Sequence, residues 1–378
     1  MAAPSEKELG APGSLEPLVA LADRTATDVE RLNRLTPELA EAVTDAGFAR
    51  HFVPRRWGGT AGTFTSALGA VSAVGESCTS TAWCAALYAA HGRLASYLPE
   101  AAQRELWGQT PDVRIAAAVV PPAGRATEVE GGWRLTGRWS YASGVDHAHW
   151  VLLSSQTGAA DVRAVRVFAL PREDVQVLDT WRNCGLKGTG SHSLTVEGAF
   201  VPAHRTLSLP DLDRVQAGSA RCHAVPYQLV AGLQFAAPAL GAARAGLRTW
   251  AAGLIARRGP DGNPVPPSAG ARRTLAQASA EIHAAGLMLE AAALRADTSV
   301  ATPLTVAENV RDASVAVRQC VTAVGRLLEA AGARAQAECD PLQRRWRDVN
   351  SAAAHGALGF EGAAAHYAQA LLVTGGPA

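Results

Sequence analysis

The chain carries the sequence GGWRLTGRWSYASG at residues 131–144 and the sequence WRNCGLKGTGSHS at residues 181–193. Both lie in a segment of short β-branched and aromatic runs, each bounded by Gly, Pro or Asp, which is the pattern of β-strands. One such strand is predicted over residues 127–135. On both sides of the segment, apolar residues recur at helical spacing. The order of helices, strands and helices predicts an α+β protein.

The changes in pattern place the predicted domain boundaries. Residues 1–13 are small and polar, and we expect a disordered tail there. An N-terminal helical domain is predicted over residues 14–112, and a central β-barrel or sheet of roughly six to eight strands over residues 113–212. A C-terminal four-helix bundle is predicted over residues 213–378. The Gly- and Pro-rich run at residues 257–264 cannot continue a helix and is expected to join two helices.

Charge and composition exclude several classes of function. The 378 residues include 35 Lys and Arg against 34 Asp and Glu, without a run of five like charges, so nucleic acid is not an expected partner. The most apolar stretches are shorter than the roughly 18 residues of a membrane span, and no secretory signal is apparent. The six cysteines lack metal-ligand spacing, so we expect no metal site and a cytoplasmic protein with free thiols.

Two further patterns concern partners. The glycine-rich signatures that bind nicotinamide dinucleotides and nucleotide phosphates are missing, so any reductant is expected to come from another protein. The Ala-rich helices of the last third carry apolar residues on more than one face, which predicts an oligomer.

Two short motifs bring hydroxyl groups next to glycines. Ser140 and Ser143, which follow Trp139, can offer hydrogen bonds to a ring nitrogen or carbonyl beside a flat aromatic wall. The run GTGS at residues 188–191 combines two glycines with two hydroxyls and can approach a planar ring or a phosphate closely. An ordinary turn explains each motif about equally well.

The order of elements resembles the acyl-CoA dehydrogenase fold, and the two motifs resemble the oxygenase components of two-component flavin-dependent monooxygenases. This group includes p-hydroxyphenylacetate hydroxylase and the secosteroid phenol hydroxylase. The resemblance implies reduced FMN as the cofactor, with FAD possible, and O2 as co-substrate. It also implies an aromatic small-molecule substrate, a separate flavin reductase as partner, and a homotetramer built as a dimer of dimers.

The same resemblance assigns roles to residues. It implies that Ser143 and Ser191 donate hydrogen bonds to the flavin and assist a C4a-hydroperoxyflavin that oxygenates the substrate. Other residues of the motifs are implied to contact the cofactor: Trp139, Ser140, Gly188, Thr189 and Gly190. Relatives hold the flavin phosphate at the place where Arg257 and Arg258 precede the Gly-Pro-rich loop, and guanidinium groups suit phosphate. A solvated pair at a helix end explains these two arginines equally well.

The sequence RRWRDVNSAAAH at residues 344–355 reads as one helix, with Asp348, Ser351 and His355 on one face. The resemblance implies that His355 is the base that draws a proton from a phenol, because the pKa of imidazole lies near the operating pH. A structural histidine near a helix end is the alternative.

The residues and the resemblance together predict a reduced-flavin-dependent monooxygenase that hydroxylates an aromatic, phenolic or natural-product substrate. Trp83 and His91 are the candidates for its substrate pocket, although a satisfied core histidine explains His91 as well. Three alternatives remain: an N- or S-oxygenase of the same fold, an acyl-CoA dehydrogenase with Glu361 as base, and a non-catalytic flavin-binding relative.

Overall fold

A computed structural model of the protein describes residue 9 and residues 15–158, 165–213 and 219–373. Its α-helices are α1 (Glu16–Leu32), α2 (Pro37–Asp45), α3 (Phe64–Ser77), α4 (Thr79–Ala95), α5 (Glu100–Trp107), α6 (Arg221–Ala224), α7 (Tyr227–Ile255), α8 (Ala269–Thr298), α9 (Pro303–Ala331), α10 (Pro341–Ala353) and α11 (Phe360–Val373). Its strands are β1 (Ile115–Ala118), β2 (Arg125–Val129), β3 (Gly132–Ala142), β4 (Trp150–Gln156), β5 (Val165–Pro171), β6 (Gln176–Leu178), β7 (His192–Pro202) and β8 (Thr206–Ser208). Of the predicted tail at residues 1–13, only Leu9 lies within the described residues.

The eight strands form one mixed sheet in the order β6-β7-β3-β2-β4-β5-β8, with β1 paired to β4. β1 runs parallel to β4, whereas β3 and β7 are long antiparallel partners. The single strand predicted over residues 127–135 is wrong, because a turn at residues 130–131 divides this stretch between β2 and β3. The alternation of apolar and polar residues continues through the turn, so periodicity alone does not reveal it.

α4 lies between the other helices and the sheet. It packs against α3 and α7 on one side and against β1 on the other, and all of its residues except Ala90 are buried. Its small and apolar side chains allow this close packing on every face. Among the helices that the structure describes, none combines the length and the apolarity needed to cross a membrane.

α7, α8, α9 and α10 pack against one another in the last third of the chain. α7 ends at Ile255 and α8 begins at Ala269, and an isolated β-bridge joins Arg258 to Pro264 between them. The predicted non-helical connection at residues 257–264 is therefore confirmed. Its prolines remove the main-chain donors that a continuous helix would need.

α3 and α7 approach each other closely where Gly75 faces Gly241. A Cβ atom on Gly241 would stand 2.2 Å from the carbonyl oxygen of Ser72 and 2.8 Å from the Cα of Gly75. We therefore expect Gly241→Ala to push the helices apart and to lower the free energy of unfolding by about 1–3 kcal/mol. Thermal unfolding followed by circular dichroism measures this loss.

The matched control lies in the same helix. A Cβ atom on Gly253 would meet nothing within 4 Å, so Gly253→Ala is expected to unfold at or above the wild-type temperature, since alanine favours helix. An equal loss of stability in both variants would show that space at Gly241 is not the reason.

Candidate active site

The two sequence motifs meet because β3 and β7 are neighbours in the sheet. Ala142 lies opposite His192, so Ser143, which follows β3, comes next to Ser191, which precedes β7. The Oγ atoms of the two serines are 2.7 Å apart, and both residues are buried. Gly144 turns the chain after β3 with a φ of +69°, a conformation that glycine adopts without strain.

The hydroxyl groups form a chain that donates in one direction. Thr189 donates to the carbonyl oxygen of Leu186 at 2.8 Å, and a carbonyl oxygen can only accept. Because each hydroxyl has one proton, Ser191 donates to Thr189 over 2.6 Å and Ser143 donates to Ser191 over 2.7 Å. The indole N–H of Trp83 donates to Ser143 at 3.1 Å and completes the hydroxyl chain. Both serines have therefore used their protons, and each keeps one lone pair with which to accept a hydrogen bond from a ligand.

His355 lies beside this hydroxyl chain but not in a helix. α10 ends at Ala353, so the single helix predicted over residues 344–355, with its shared face, is wrong. The imidazole stacks on Phe235, with ring centroids 3.7 Å apart, and its ring centroid lies 5.8 Å from that of Trp83. Trp83 also donates to the hydroxyl chain, so the Trp83 side chain lies between the imidazole of His355 and the hydroxyl of Ser143.

The surroundings of His355 fix its protonation. Its Nδ1 accepts the main-chain N–H of Ala357 at 3.2 Å and caps a 3-10 helix at residues 356–358. Burial lowers the pKa of His355 to about 4, so the ring is neutral at pH 7. A neutral imidazole whose Nδ1 accepts carries its proton on Nε2. His355 therefore offers a ligand an N–H donor at Nε2.

α10 holds the loop in which the hydroxyl chain ends. Arg347 donates to the carbonyl oxygen of Cys184 at 2.6 Å and pairs with Glu30. Asp348 accepts the main-chain N–H of Leu186 at 2.6 Å, and the carbonyl of Leu186 is the last acceptor of the chain. Arg347 and Asp348 thus hold the loop at residues 184–186, and through it the end of the hydroxyl chain. Sequence reasoning missed this role because both side chains bind main-chain groups.

A pH dependence follows from Asp348, whose pKa burial raises from 3.8 to about 6. A raised carboxyl pKa means that the native protein holds the proton more tightly than the unfolded chain, so this contribution to stability is lost as pH rises through about 6. Asp348→Asn keeps an acceptor for Leu186 without the buried charge. We expect its unfolding free energy to gain about 1–1.5 kcal/mol on that of wild type between pH 5 and pH 8, since about half of the effect of the shifted pKa is already present at pH 5. Thermal melts at both pH values measure this gain.

The exposed Asp174 provides the control for that series. Asp174→Asn removes a solvated carboxylate and should unfold like wild type at each pH. A difference between Asp348→Asn and wild type that stays constant from pH 5 to pH 8 would contradict the raised pKa.

Trp139 and Ser140 do not join the hydroxyl chain. Trp139 is 1% exposed in the core of the sheet, and its indole N–H donates to the carbonyl oxygen of Ser154 at 2.7 Å. Ser140 is exposed, and its Oγ lies 3.4 Å from that of Ser193. These contacts give Trp139 a packing role, while contact of either residue with a flavin stays a prediction.

The two glycines of the second motif are explained by contacts within the protein. A Cβ atom on Gly188 would stand 2.0 Å from Cγ1 of Val29. Gly190 has a φ of +52°, and a Cβ atom there would lie 3.0 Å from a carboxylate oxygen of Asp146. The turn interpretation therefore accounts for both, and their contact with a cofactor stays a prediction.

The remaining candidates lie apart from the serines. Arg257 and Arg258 are exposed beyond the end of α7, and no carboxylate of the described residues pairs with either guanidinium group. Glu361 is exposed in the first turn of α11. A phosphate site at the arginines and a basic role for Glu361 both stay predictions.

The second pocket candidate, His91, is buried on α4. Its Nδ1 lies 2.8 Å from the carbonyl oxygen of Ile115 and donates to it, so in the neutral ring Nε2 is the unprotonated acceptor. Burial lowers the pKa of His91 to about 4. The contact with Ile115 supports the core interpretation, and a place for His91 in the substrate pocket stays a prediction.

Comparison with known proteins finds relatives that are oxygenase components of flavin-dependent enzymes. Residues 233–360 match the family described as "Acyl-CoA dehydrogenase, C-terminal domain". The chain is 31% identical to the flavin-dependent monooxygenase, oxygenase subunit HsaA, of Rhodococcus jostii (strain RHA1), over 91% of this chain and 93% of that protein. It is 27% identical to p-hydroxyphenylacetate 3-hydroxylase, oxygenase component, of Acinetobacter baumannii, over 88% of this chain and 82% of that protein. XiaF from Streptomyces sp., solved in complex with FADH2 and glycerol, superposes with a TM-score of 0.89 at 26% identity, covering 95% and 94%.

Proposed function

Because the chain belongs to the oxygenase components of flavin-dependent monooxygenases, we propose that it hydroxylates a phenolic ring. As an enzyme of this family it uses reduced flavin and O2. One observation carries the choice of a phenolic substrate: a neutral histidine, His355, stacks on Phe235 and presents an N–H donor beside the hydroxyl chain. An aromatic wall with one donor suits a flat ring that bears a phenolate oxygen.

The hydroxyl chain fits a reduced flavin. Reduced flavin, when bound, supplies the electrons that activate O2. Its N5 carries a hydrogen and donates, whereas N5 of the oxidised ring accepts. Ser143 and Ser191 have spent their protons within the chain and offer lone pairs, so they suit the N5–H of the reduced form. We propose that they hold this edge of the ring as acceptors, where the resemblance implied donors.

His355 has a different role from the base implied by the resemblance. A phenol has a pKa near 10 and the pKa of His355 is about 4, so the imidazole is a poor acceptor for the phenolic proton. Its Nε2–H is a good donor to a phenolate. We propose that the phenol loses its proton to water and that His355 binds and orients the resulting phenolate oxygen, which activates the ring toward electrophilic oxygen.

The direct test mixes the protein anaerobically with reduced flavin and then adds O2 together with one phenol from a panel. Reduced FMN and reduced FAD are tested in separate experiments. FADH2 is included because XiaF was solved with it. Hydroxylated phenol formed in proportion to the flavin consumed is the expected result. If all the O2 is recovered as hydrogen peroxide with every phenol, hydroxylation of this substrate class is overturned.

The same mixing experiment separates the alternatives. Amines and thiophenes added to the panel report N- or S-oxygenation, which needs no phenolate. An acyl-CoA dehydrogenase needs a base in contact with the bound thioester, and the exposed position of Glu361 gives that alternative no support. A separate reductase is proposed as the source of reduced flavin because the sequence lacks nucleotide-binding signatures.

We also propose a homotetramer. Leu287 and Leu294 lie seven residues apart on α8, and more than half of each residue's surface is exposed, so one face of this long helix presents a pair of apolar side chains. Light scattering after gel filtration is expected to give about four times the chain mass of 39.2 kDa. Leu294→Glu should shift the mass toward smaller species, whereas Asp174→Asn, an exposed position between β5 and β6, should not. A mass of one chain for wild type would contradict the proposal.

A further inference from the structure

A small cavity lies between α3, α4 and α7, apart from the candidate active site, since none of Ser143, Ser191 and His355 lines it. The cavity holds about 40 Å³, which is room for about three water molecules. Only water or a ligand of very few atoms can therefore occupy it. Most of its wall is aliphatic or aromatic and includes Phe64, Leu68, Ala86, Ala90, Val230 and Leu233.

Three polar side chains also line the cavity, and each of them carries hydrogen-bond donors: Arg93, Tyr227 and Gln234. No carboxylate of the described residues lines it. The wall therefore offers one positive charge and several donors without a negative charge, a set that suits an anion and repels a metal ion. Tyr227 and Gln234 are only half-buried, so this wall lies close enough to the surface for a small ion to enter.

Arg93 uses three of its five N–H groups. The residue is 2% exposed, and its Nε donates to the carbonyl oxygen of Cys222 at 2.6 Å. Its Nη2 donates both protons, one to the carbonyl oxygen of Val225 and one to the hydroxyl of Tyr97. Nη1 is buried and has no partner among the described residues. Two N–H groups of a buried cation are therefore left open.

The open Nη1 belongs to the side of the guanidinium that faces the cavity. Cys222 and Val225 hold the edge of the group formed by Nε and Nη2, and neither of them lines the cavity, whereas Arg93 does. Phe64, which lines the cavity as well, lies against the guanidinium, with its ring centroid 5.7 Å from Cζ. Because the bonded edge is fixed by main-chain groups, the open Nη1 is already oriented for a ligand.

Without a ligand this arrangement is costly. A buried charge needs a counter-charge, and a buried donor without an acceptor loses its hydration for nothing in return. No carboxylate of the described residues forms an ion pair with Arg93. The rings of Phe64 and Tyr97 offset part of the charge, but neither accepts a hydrogen bond from Nη1. Burial lowers the pKa of Arg93, the direction expected of a cation taken out of water.

We propose that the cavity binds one monovalent anion of the size of chloride, held by Nη1 of Arg93. Chloride is only slightly larger than water and fits a space of this volume, whereas a polyhydroxy carboxylate such as gluconate does not. The anion joins α4, which carries Arg93, to the start of α7, which carries Tyr227 and Gln234. It stabilises the native protein, and this role is independent of the proposed function.

The test measures stability as one anion replaces another at constant ionic strength. The full-length protein, dialysed free of halide, is melted in sodium gluconate in which chloride or bromide replaces gluconate stepwise. We expect the melting temperature to rise by about 1–3 °C and then to level off, as for a single site. In crystals grown with bromide, an anomalous peak should lie within hydrogen-bond distance of Nη1. A melting temperature that does not change with halide, or water alone at Nη1, would overturn the proposal.

Variants show whether the halide effect belongs to this cavity. The readout is the difference in melting temperature between chloride and gluconate for each protein, so a general change in stability does not affect it. Arg93→Gln removes the charge, and Ala90→Val keeps Arg93 but fills the space with two methyl groups, so both should lose the difference. Arg104→Gln removes an exposed guanidinium on α5 and should keep it.

The two cavity variants do not depend on each other. If Arg93→Gln does not fold, Ala90→Val decides the question, because it leaves every partner of the guanidinium in place. A saturable halide effect of wild-type size in Ala90→Val would place the anion elsewhere and overturn the proposal.

Discussion

His355→Asn is expected to lower the yield of hydroxylated phenol per reduced flavin by about 10- to 150-fold, because a hydrogen bond to a charged group contributes ~1.5–3 kcal/mol. O2 should still be consumed and should appear as hydrogen peroxide, because the hydroxyl chain of Ser143 and Ser191 remains in place. The measurement is the ratio of phenol product to peroxide after a single turnover with limiting reduced flavin. The loss should therefore be in coupling, the fraction of oxidised flavin that yields hydroxylated phenol. The rate of flavin oxidation should be nearly unchanged.

Two comparisons make this result specific to His355. His283 is exposed on α8, so His283→Asn should keep the wild-type ratio. The pKa of about 4 also predicts that no histidine titration appears in the wild-type ratio between pH 6 and pH 8. A fall in coupling below a midpoint near 6.5 would instead support the base implied by the resemblance. Unchanged coupling in His355→Asn would remove the residue from the reaction.

The second large effect is expected from Ser143→Ala. The variant loses the acceptor that Trp83 uses and the lone pair proposed for the flavin N5–H. We expect Kd for reduced flavin to rise about fivefold relative to Kd for oxidised flavin, because one hydrogen bond is worth about 1 kcal/mol and the unpaired indole N–H affects both redox states equally. Anaerobic titration of both redox states measures the two constants.

The control for Ser143→Ala is another buried serine. Ser155 is 0% exposed in β4, and its Oγ has no partner among the described residues, so Ser155→Ala removes a hydroxyl that holds nothing. It should bind both forms of flavin like wild type. Ser191→Ala should resemble Ser143→Ala, and the double variant should cost less than the sum, because the two hydroxyls belong to one chain. Equal weakening of reduced and oxidised flavin in Ser143→Ala would contradict the acceptor role.

Local pattern predicts much of the fold and the family. The switch from helical to strand periodicity and back is visible in the sequence, and the expected acyl-CoA dehydrogenase-like fold and monooxygenase family are confirmed by the relatives. The motifs around Ser143 and Ser191 can be selected because hydroxyls next to glycines stand out locally. The contact between Ser143 and Ser191 cannot be predicted from local pattern, because it depends on the pairing of β3 with β7, whose residues are far apart in the sequence.

The end of α10 is the clearest error of the sequence interpretation. Ala352, Ala353 and Ala354 favour helix, so periodicity extends the element to His355 although the helix ends at Ala353. Gly356 was the available signal, because glycine often follows a helix end. The tautomer and the low pKa of His355 have no signal in the sequence, because they depend on the turn conformation at residues 355–357 and on burial in the folded chain.

Trp83 connects three distant parts of the chain, since it touches Ser143, Phe235 and His355. Engineers who wish to move this chemistry to another scaffold therefore face a practical limit. A loop transplant carries at most one of these parts, and chimaeras cut between the sheet and the last helices would join halves that have not adapted to each other. Changes of specificity are better sought by substitution within the intact chain, along the face of α4 that starts at this indole.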